Sequence, residues 1–157
     1  MNIYFKDVNR GNWEEAIQLR VNKLQELYVP SVPVSLAKIY IKPDGDGVEY
    51  IPFSIYYETQ LVGFIMFAFE ADTTDMYWIN GFLIDEKYQG KGYGKEALIK
   101  MINWIKTEYP LSEEIRLTVH KENEFARLLY RKVGFEDSGE VYGNENVMVL
   151  AIKSEEI

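Results

Sequence analysis

Three glycines at alternate positions, Gly90, Gly92 and Gly94, stand in the segment 89–95 beside two lysines. Glycine reaches positive φ angles and lets a backbone approach a ligand closely. An apolar segment typical of a strand ends just before this loop, near Asp85, and helical spacing begins near Gly94. A helix N-terminus carries free N–H groups and partial positive charge. The loop therefore predicts an anion site that suits a phosphate or pyrophosphate.

Two common nucleotide-binding loops do not fit this segment. A P-loop needs Gly-Lys followed by Ser or Thr, but Glu96 follows Lys95 here. A dinucleotide-binding loop needs Gly-x-Gly-x-x-Gly, whereas these glycines are spaced two by two. A tight strand-to-helix turn that binds no ligand is the alternative interpretation of the loop alone.

A second pattern lies downstream, in the stretch NEFARLLYRKVGF from Asn123 to Phe135. Together with QGKGYG at residues 89–94, it resembles the two signatures of the GNAT N-acetyltransferase superfamily, Gln/Arg-x-x-Gly-x-Gly/Ala and Asn-x-x-Ala-x-x-Leu-Tyr-x-x-x-Gly-Phe. The second signature matches at every fixed position. Within the superfamily the chain is most similar to bacterial spermine/spermidine N-acetyltransferases, through segments such as FLID at residues 82–85 and SLA at residues 35–37.

The resemblance implies acetyl-coenzyme A as the co-substrate, held by a strand, the glycine loop and the following helices. The strand would bond the pantetheine arm through its main chain, the loop amides would bind the pyrophosphate, and an N–H at Ile84 or a neighbour would polarise the thioester carbonyl. The coenzyme-binding residues implied are Phe82, Leu83, Ile84, Gln89, Gly90, Lys91, Gly92, Tyr93, Gly94, Lys95, Asn123 and Ala126. Candidates for the 3′-phosphate are Lys91, Lys95, Arg131 and Lys132.

Tyr130 matches the general acid of the family. A phenol with a pKa of about 10 stays protonated at neutral pH, so it can donate a proton to a departing thiolate. Alternatively, Tyr130 is a core tyrosine on an apolar helix face. Asn123 can be a contact to the pantetheine arm or a simple helix cap. Because the chain has no Cys, an acetyl-cysteine intermediate is excluded, and we expect direct transfer in a ternary complex.

The general base is less clearly indicated. Polyamine-acetylating relatives tend to carry a carboxylate two residues before the FLI segment, where this chain has Asn80. An amide cannot take up a proton at neutral pH. A water chain, His120, or an acid outside the strand is expected to serve instead, and the acids considered are Glu70, Asp72 and Asp75.

Composition excludes several other functions. The 157 residues suit one domain, residues 1–157, and the hydrophobic fraction of 47% excludes a mainly disordered chain. With no Cys and one His, thiolate zinc sites, iron–sulfur sites and multi-His metal sites are excluded. A net charge of −8 argues against nucleic-acid binding and suits a cationic substrate.

No secretion signal or apolar membrane span is evident, so we expect a cytoplasmic protein. By analogy with the superfamily, a homodimer is expected.

The elements that must position these residues follow the order β-α-α-β-β-β-α-β-α-β-β. This order predicts an α/β (α+β) fold with a mixed, mostly antiparallel sheet flanked by helices and one crossover helix. Helical spacing of apolar residues predicts a first helix from Asn12 to about Tyr28, ended by Pro30 and Pro33, and a short second helix over 35–40.

The function predicted is acetyl transfer to a primary amine, with polyamines such as spermidine and spermine as the leading acceptors. Two alternatives stay open at this point. The same fold can act on a protein N-terminus or a lysine side chain, or the chain can be a coenzyme A-binding module without catalysis.

Overall fold

A seven-stranded sheet organises the fold in the computed structural model, which describes residues 2–152. The strand order across the sheet is β1-β2-β3-β4-β5-β7-β6. The strands are β1 (Ile3–Asp7), β2 (Val48–Tyr57), β3 (Gln60–Glu70), β4 (Tyr77–Ile84), β5 (Glu114–His120), β6 (Glu136–Tyr142) and β7 (Glu145–Ala151). The helices are α1 (Trp13–Ala16), α2 (Val32–Ile41), α3 (Tyr93–Glu108) and α4 (Glu124–Val133). The mixed, mostly antiparallel sheet predicted from the sequence is thereby confirmed.

The centre of the sheet is split between β4 and β5. These strands form the one parallel pair among the described residues, joined through the crossover helix α3, and they pair only at Trp78 and Arg116. Every other neighbouring pair of strands is antiparallel. Beyond Trp78 and Arg116 the two strands diverge, which leaves polar backbone edges without a partner strand and opens a gap in the sheet.

Helices cover both faces of the sheet. On one, here called the α3/α4 face, α3 buries Ala97, Leu98, Met101 and Ile105 completely. These residues recur at the three- and four-residue spacing of an amphipathic helix. On the other, here called the α2 face, α1 and α2 pack over β2 and β3, and Val32 of α2 is fully buried.

The first helix is much shorter than the sequence predicts. Helix α1 ends at Ala16, and the chain then runs through turns into a single 3₁₀ turn, Lys23–Gln25. Leu24, which the predicted helix would have placed on its buried side, is 84% exposed. Asn12 is buried, but its side chain bonds backwards to Asp7 and Asn9 rather than capping the helix. The predicted helix from Asn12 to Tyr28 is therefore wrong.

Helix α2 begins earlier than predicted, because Pro33 does not break it. Ser31 caps the helix through a hydrogen bond from the Val34 N–H, and Pro33 lies in the first turn, where no N–H donor is needed. No helix within residues 2–152 is long and apolar enough to cross a membrane.

Candidate active site

A cavity of about 300 Å³ occupies the split between β4 and β5. Its walls come from the second half of β4, the glycine loop, α4, the end of β5 and the segment before α2. All the coenzyme-binding residues expected from the sequence line it except Lys91, and so does the expected acid Tyr130. The two signatures therefore lie on opposite walls of one cavity.

The glycine loop presents free backbone amides at one end of the cavity. Gly90 has φ +78° and Gly92 has φ +86°, a region that side chains other than glycine rarely adopt. Gly92 begins α3 without a side-chain cap, and Glu96 is the first residue whose N–H donates back to it, at 3.3 Å. The N–H groups of residues 93–95 consequently remain available for an anion.

Gln89, the first residue of the glycine signature, supports the loop with its side chain. Its Nε2 donates hydrogen bonds to the Ile84 carbonyl at 2.9 Å and to Gln25 Oε1 at 3.0 Å. The side chain therefore fastens the loop to the end of β4 and to the segment before α2. Both amide hydrogens are used in this way, so this side chain offers no donor to an anion.

A β-bulge in β4 lies along the split. Met66 pairs with Asn80 and Phe64 pairs with Leu83, so two residues of β4, at positions 81 and 82, stand opposite one residue of β3. Gly81 has φ +59°, and a Cβ atom there would lie 2.5 Å from Ser35 Oγ. Glycine at this position thus permits both the bulge and the close approach of α2.

The bulge determines which amides face the cavity. The Asp85 N–H donates to the Val62 carbonyl of β3, at 2.8 Å. Because peptide groups alternate along a strand, the N–H and C=O of Ile84 lie on the opposite edge, toward the split. The Ile84 carbonyl accordingly accepts from Gln89. The expected oxyanion donor, Ile84, therefore faces the site.

Tyr130 reaches the cavity from the α3/α4 face and is 9% exposed. Burial raises the pKa of its phenol above the usual value, so the proton is held more firmly than in solution. Its ring packs edge-on against Phe135, with centroids 6.1 Å apart. The hydrogen bonds among residues 2–152 include none to its hydroxyl, which leaves the group available to a ligand.

Asn123 has both of the roles considered for it from the sequence. Its Oδ1 accepts a hydrogen bond from the Ala126 N–H at 3.3 Å, so it caps α4, and the residue also lines the cavity. Among the 3′-phosphate candidates, Arg131 is paired with Asp137 at 2.8 Å, whereas Lys95 lines the cavity.

The α2 face lines the cavity on the side opposite Tyr130, and this side is here called the α2-face entrance. Asn80 pairs with Met66, which packs under α2, so the Asn80 side chain points to this face. The segment before α2 and α2 itself add the covering wall. The residues that line the cavity from this covering segment are Val21, Gln25, Tyr28, Val29, Pro30 and Lys38.

The acids considered as bases from the sequence do not line the cavity. Glu70 ends β3, and Asp72 and Asp75 lie in the turn that precedes β4, whereas the cavity runs along residues 79–84. The structure therefore gives no support to any of these three acids as the base, and the identity of the base stays a prediction.

His120 is oriented by two contacts. Its Nδ1 accepts the Glu122 N–H at 3.2 Å, and its ring lies 4.9 Å from that of Tyr28. The geometry assigns the neutral ring's proton to Nε2. His120 is not among the residues that line the cavity, so the structure gives no support to it as the base.

Sequence reasoning did not identify the residues of the α2-face entrance. They come from five separate segments, and no local pattern connects them. The segments are residues 21–30, α2, β4, β5 and β7. The one signal in the chain was the absence of a carboxylate at Asn80, which indicated that the amine pocket is built differently. Glu145, at the start of β7, is the only carboxylate that lines the cavity among the described residues.

Comparisons with known proteins agree with this geometry. The family model described as "Acetyltransferase (GNAT) family" matches residues 15–135. The spermine/spermidine N(1)-acetyltransferase of Bacillus subtilis strain 168 is 33% identical over 155 residues, which cover 95% of this chain and 98% of that protein. A probable spermine N(1)-acetyltransferase of Bacillus subtilis subsp. natto is 32% identical over 155 residues, which cover 95% of this chain and 98% of that protein.

Solved structures share the fold. Spermidine N-acetyltransferase from Vibrio cholerae, in complex with CoA and spermine, superposes with a TM-score of 0.72 at 20% identity and covers 95% of each chain. The PaiA N-acetyltransferase from Thermoplasma acidophilum, in complex with coenzyme A, gives a TM-score of 0.69 at 17% identity, covering 97% of this chain and 100% of that one. The architecture predicted from the two signatures is thus confirmed.

Proposed function

The chain belongs to the GNAT acetyltransferase family, and we propose that it transfers the acetyl group of acetyl-coenzyme A to a primary amine of a polyamine such as spermidine or spermine. The observation that carries this proposal is the split between β4 and β5. Tyr130 reaches it from one face of the sheet, and a separate entrance opens on the other. Two substrates can therefore meet in one cavity from opposite sides.

The structure fits a coenzyme at the glycine loop. Beside Gly90, no atom lies within 4 Å of the position that a Cβ would take, so the loop leaves space next to its free amides. The amides of residues 90–95 bind the pyrophosphate, and Lys95 adds positive charge. The edge of β4 at Phe82 and Ile84 pairs with the pantetheine arm, and Asn123 and Ala126 form the opposite wall. Acetyl-coenzyme A supplies the acetyl group as an activated thioester.

Two groups of the chain act on the thioester. The Ile84 N–H polarises its carbonyl, because donors fixed where negative charge develops need no reorganisation during the reaction. Tyr130 donates its phenol proton to the departing thiolate, and its raised pKa keeps that proton in place at neutral pH. Transfer is direct, since no Cys is present to carry the acetyl group.

The acceptor amine enters from the α2 face and must lose a proton before it attacks. Asn80 has no basic group but both donates and accepts hydrogen bonds, so it can orient a water molecule beside the amine. The proton then passes to solvent through the open entrance. This route replaces the carboxylate that polyamine-acetylating relatives tend to carry at this point.

A coenzyme A release assay across acceptor classes tests the proposal. Spermidine and spermine are expected to give the highest kcat/KM among polyamines, aminoglycosides, amino acids and peptides. Turnover with peptide N-termini or lysine peptides alone would establish a protein acetyltransferase instead. Coenzyme binding without turnover on any amine would establish a binding module.

The cellular setting proposed is the cytoplasm, where acetyl-coenzyme A and polyamines are both present. We also propose a homodimer, supported by exposed apolar side chains before and on α2, namely Leu24, Leu27, Tyr40 and Ile41. Light scattering of the purified protein tests the oligomeric state, and a monomer at micromolar concentration contradicts it.

A further inference from the structure

The acceptor end of the cavity contains a single carboxylate among residues 2–152, that of Glu145. We propose that Glu145 binds the second ammonium group of the acceptor, the one adjacent to the amine that is acetylated. This inference rests on the proposed function, and it makes Glu145 the residue that distinguishes a diamine unit from a simple amine.

The sheet register fixes the direction of the Glu145 side chain. Glu145 of β7 pairs directly with His120 of β5, and residues directly opposite in antiparallel strands project to the same face. The His120 ring lies against Tyr28, which belongs to the covering segment of the α2 face. Glu145 therefore projects to the α2 face, where the acceptor enters, and away from Tyr130.

The strand order places Glu145 within the reach of a polyamine. The acetyl group is transferred in the split between β4 and β5, and Glu145 lies on β7, the next strand beyond β5. Neighbouring strands are about 5 Å apart. Three or four methylene groups separate two nitrogens by about 5 to 6 Å when the chain is extended. Glu145 also lines the cavity, so its side chain covers the remaining distance between β7 and the next ammonium.

The carboxylate of Glu145 is available for this contact. The hydrogen bonds and ion pairs of the described residues include none to its oxygens, although the side chain is partly buried. A partly buried carboxylate without a partner favours the arrival of a cation, because pairing offsets its lost hydration. The Tyr28 ring lies against His120, the cross-strand partner of Glu145, and lines the same cavity, so it offers an apolar face to the methylene spacer and a π-surface to the ammonium.

The experiment compares butane-1,4-diamine with butan-1-amine as acceptors for the wild type and for Glu145→Gln. We expect the wild type to favour the diamine in kcat/KM by about tenfold, because a charge-assisted hydrogen bond contributes a factor of about this size to binding. Glu145→Gln should lose this preference, because its kcat/KM should fall about tenfold more for the diamine than for butan-1-amine. Glu145→Asp, which shortens the side chain by one methylene, should retain part of it.

Glu136→Gln is the matched control, because it removes one exposed carboxylate from the same hairpin without touching the cavity. It should leave both acceptors unaffected. An unchanged diamine preference in Glu145→Gln, with coenzyme A affinity intact by calorimetry, overturns the inference and leaves the proposed function standing. A wild type that releases no coenzyme A with any polyamine overturns the proposed function itself.

Discussion

The Asp85 carboxylate accepts a hydrogen bond at 3.0 Å from the backbone N–H of Arg20, 65 residues earlier in the chain. Its other oxygen accepts the Lys87 N–H at 3.0 Å. The Arg20 carbonyl in turn accepts the Glu86 N–H at 2.9 Å. Asp85 follows β4 directly and is 3% exposed, so it joins the coenzyme loop to the segment that covers the acceptor entrance. The start of the glycine loop and the segment before α2 therefore share one buried carboxylate.

Replacing Asp85 with Ala is expected to destabilise the protein by about 1–3 kcal/mol, because two partly buried backbone N–H groups lose their buried acceptor. The KM values for acetyl-coenzyme A and for the amine should rise together. Urea unfolding and steady-state kinetics measure the two effects. Asp137→Ala, which breaks an exposed ion pair with Arg131, is the control and should cost about 1 kcal/mol or less. A rise in only one KM would show that Asp85 does not couple the two sites.

Tyr130→Phe is expected to lower kcat by about 10²-fold, the usual contribution of a general acid. The substitution removes only the hydroxyl, which has no hydrogen-bond partner among the described residues, so folding should be preserved. Isothermal titration with coenzyme A should give an unchanged affinity. Full activity in Tyr130→Phe would show that Tyr130 only packs against its neighbours on α4 and donates no proton.

The pH dependence of the wild type follows from the raised pKa of Tyr130. As pH rises, kcat/KM for an amine should increase while the ammonium deprotonates, and loss of the Tyr130 proton should cause no decline below about pH 10. Above that pH, the tyrosine ionises in the unfolded chain before it ionises in the folded one. Stability should therefore fall as pH rises past 10, and fall less steeply in Tyr130→Phe. A kinetic decline between pH 8 and 9 that Tyr130→Phe abolishes would contradict the raised pKa.

Contiguous patterns explain why the coenzyme side could be predicted from the sequence. Helix α3 has a periodic apolar side and Pro110 just beyond its end, and α4 has Asn123 as its cap and Gly134 at its end. The glycine loop lies between a strand and a helix in one short segment. Local spacing therefore predicted both helices and the position of the loop between strand and helix, whereas the coenzyme-binding roles of these residues stay predictions that rest on the resemblance.

Tertiary contacts explain what the sequence could not show. The apolar residues from Ile17 to Tyr28 have helical spacing, yet the Arg20 amide bonds to Asp85, and the chain leaves the helix at Ala16. The acceptor entrance combines Tyr28 and Glu145, which lie far apart in the sequence. Their proximity depends on the β5–β7 register, and no local pattern encodes it.

Gly81→Ala is expected to destabilise the protein and to reduce activity more than tenfold. An alanine at φ +59° costs about 1 kcal/mol, and its Cβ would also collide with Ser35 Oγ. Ser35→Ala removes that oxygen, which is buried without a partner, so the double variant should recover part of the lost stability. Thermal unfolding of the two single variants and the double variant gives the coupling between the sites. Strict additivity would show that α2 does not press on the bulge.

Lys38→Met is expected to raise kcat/KM for spermidine about threefold. Lys38 lines the acceptor side of the cavity and has no ion-pair partner among residues 2–152, so its ammonium repels a polycation. Its removal should help spermidine more than butan-1-amine, and the gain should shrink in 0.5 M salt, where the Debye length is only about 4 Å. Lys106→Met changes the net charge equally from an exposed position on α3, away from the cavity, and should have little effect. A loss of spermidine activity in Lys38→Met would contradict this repulsion and would show that Lys38 supports the cavity instead.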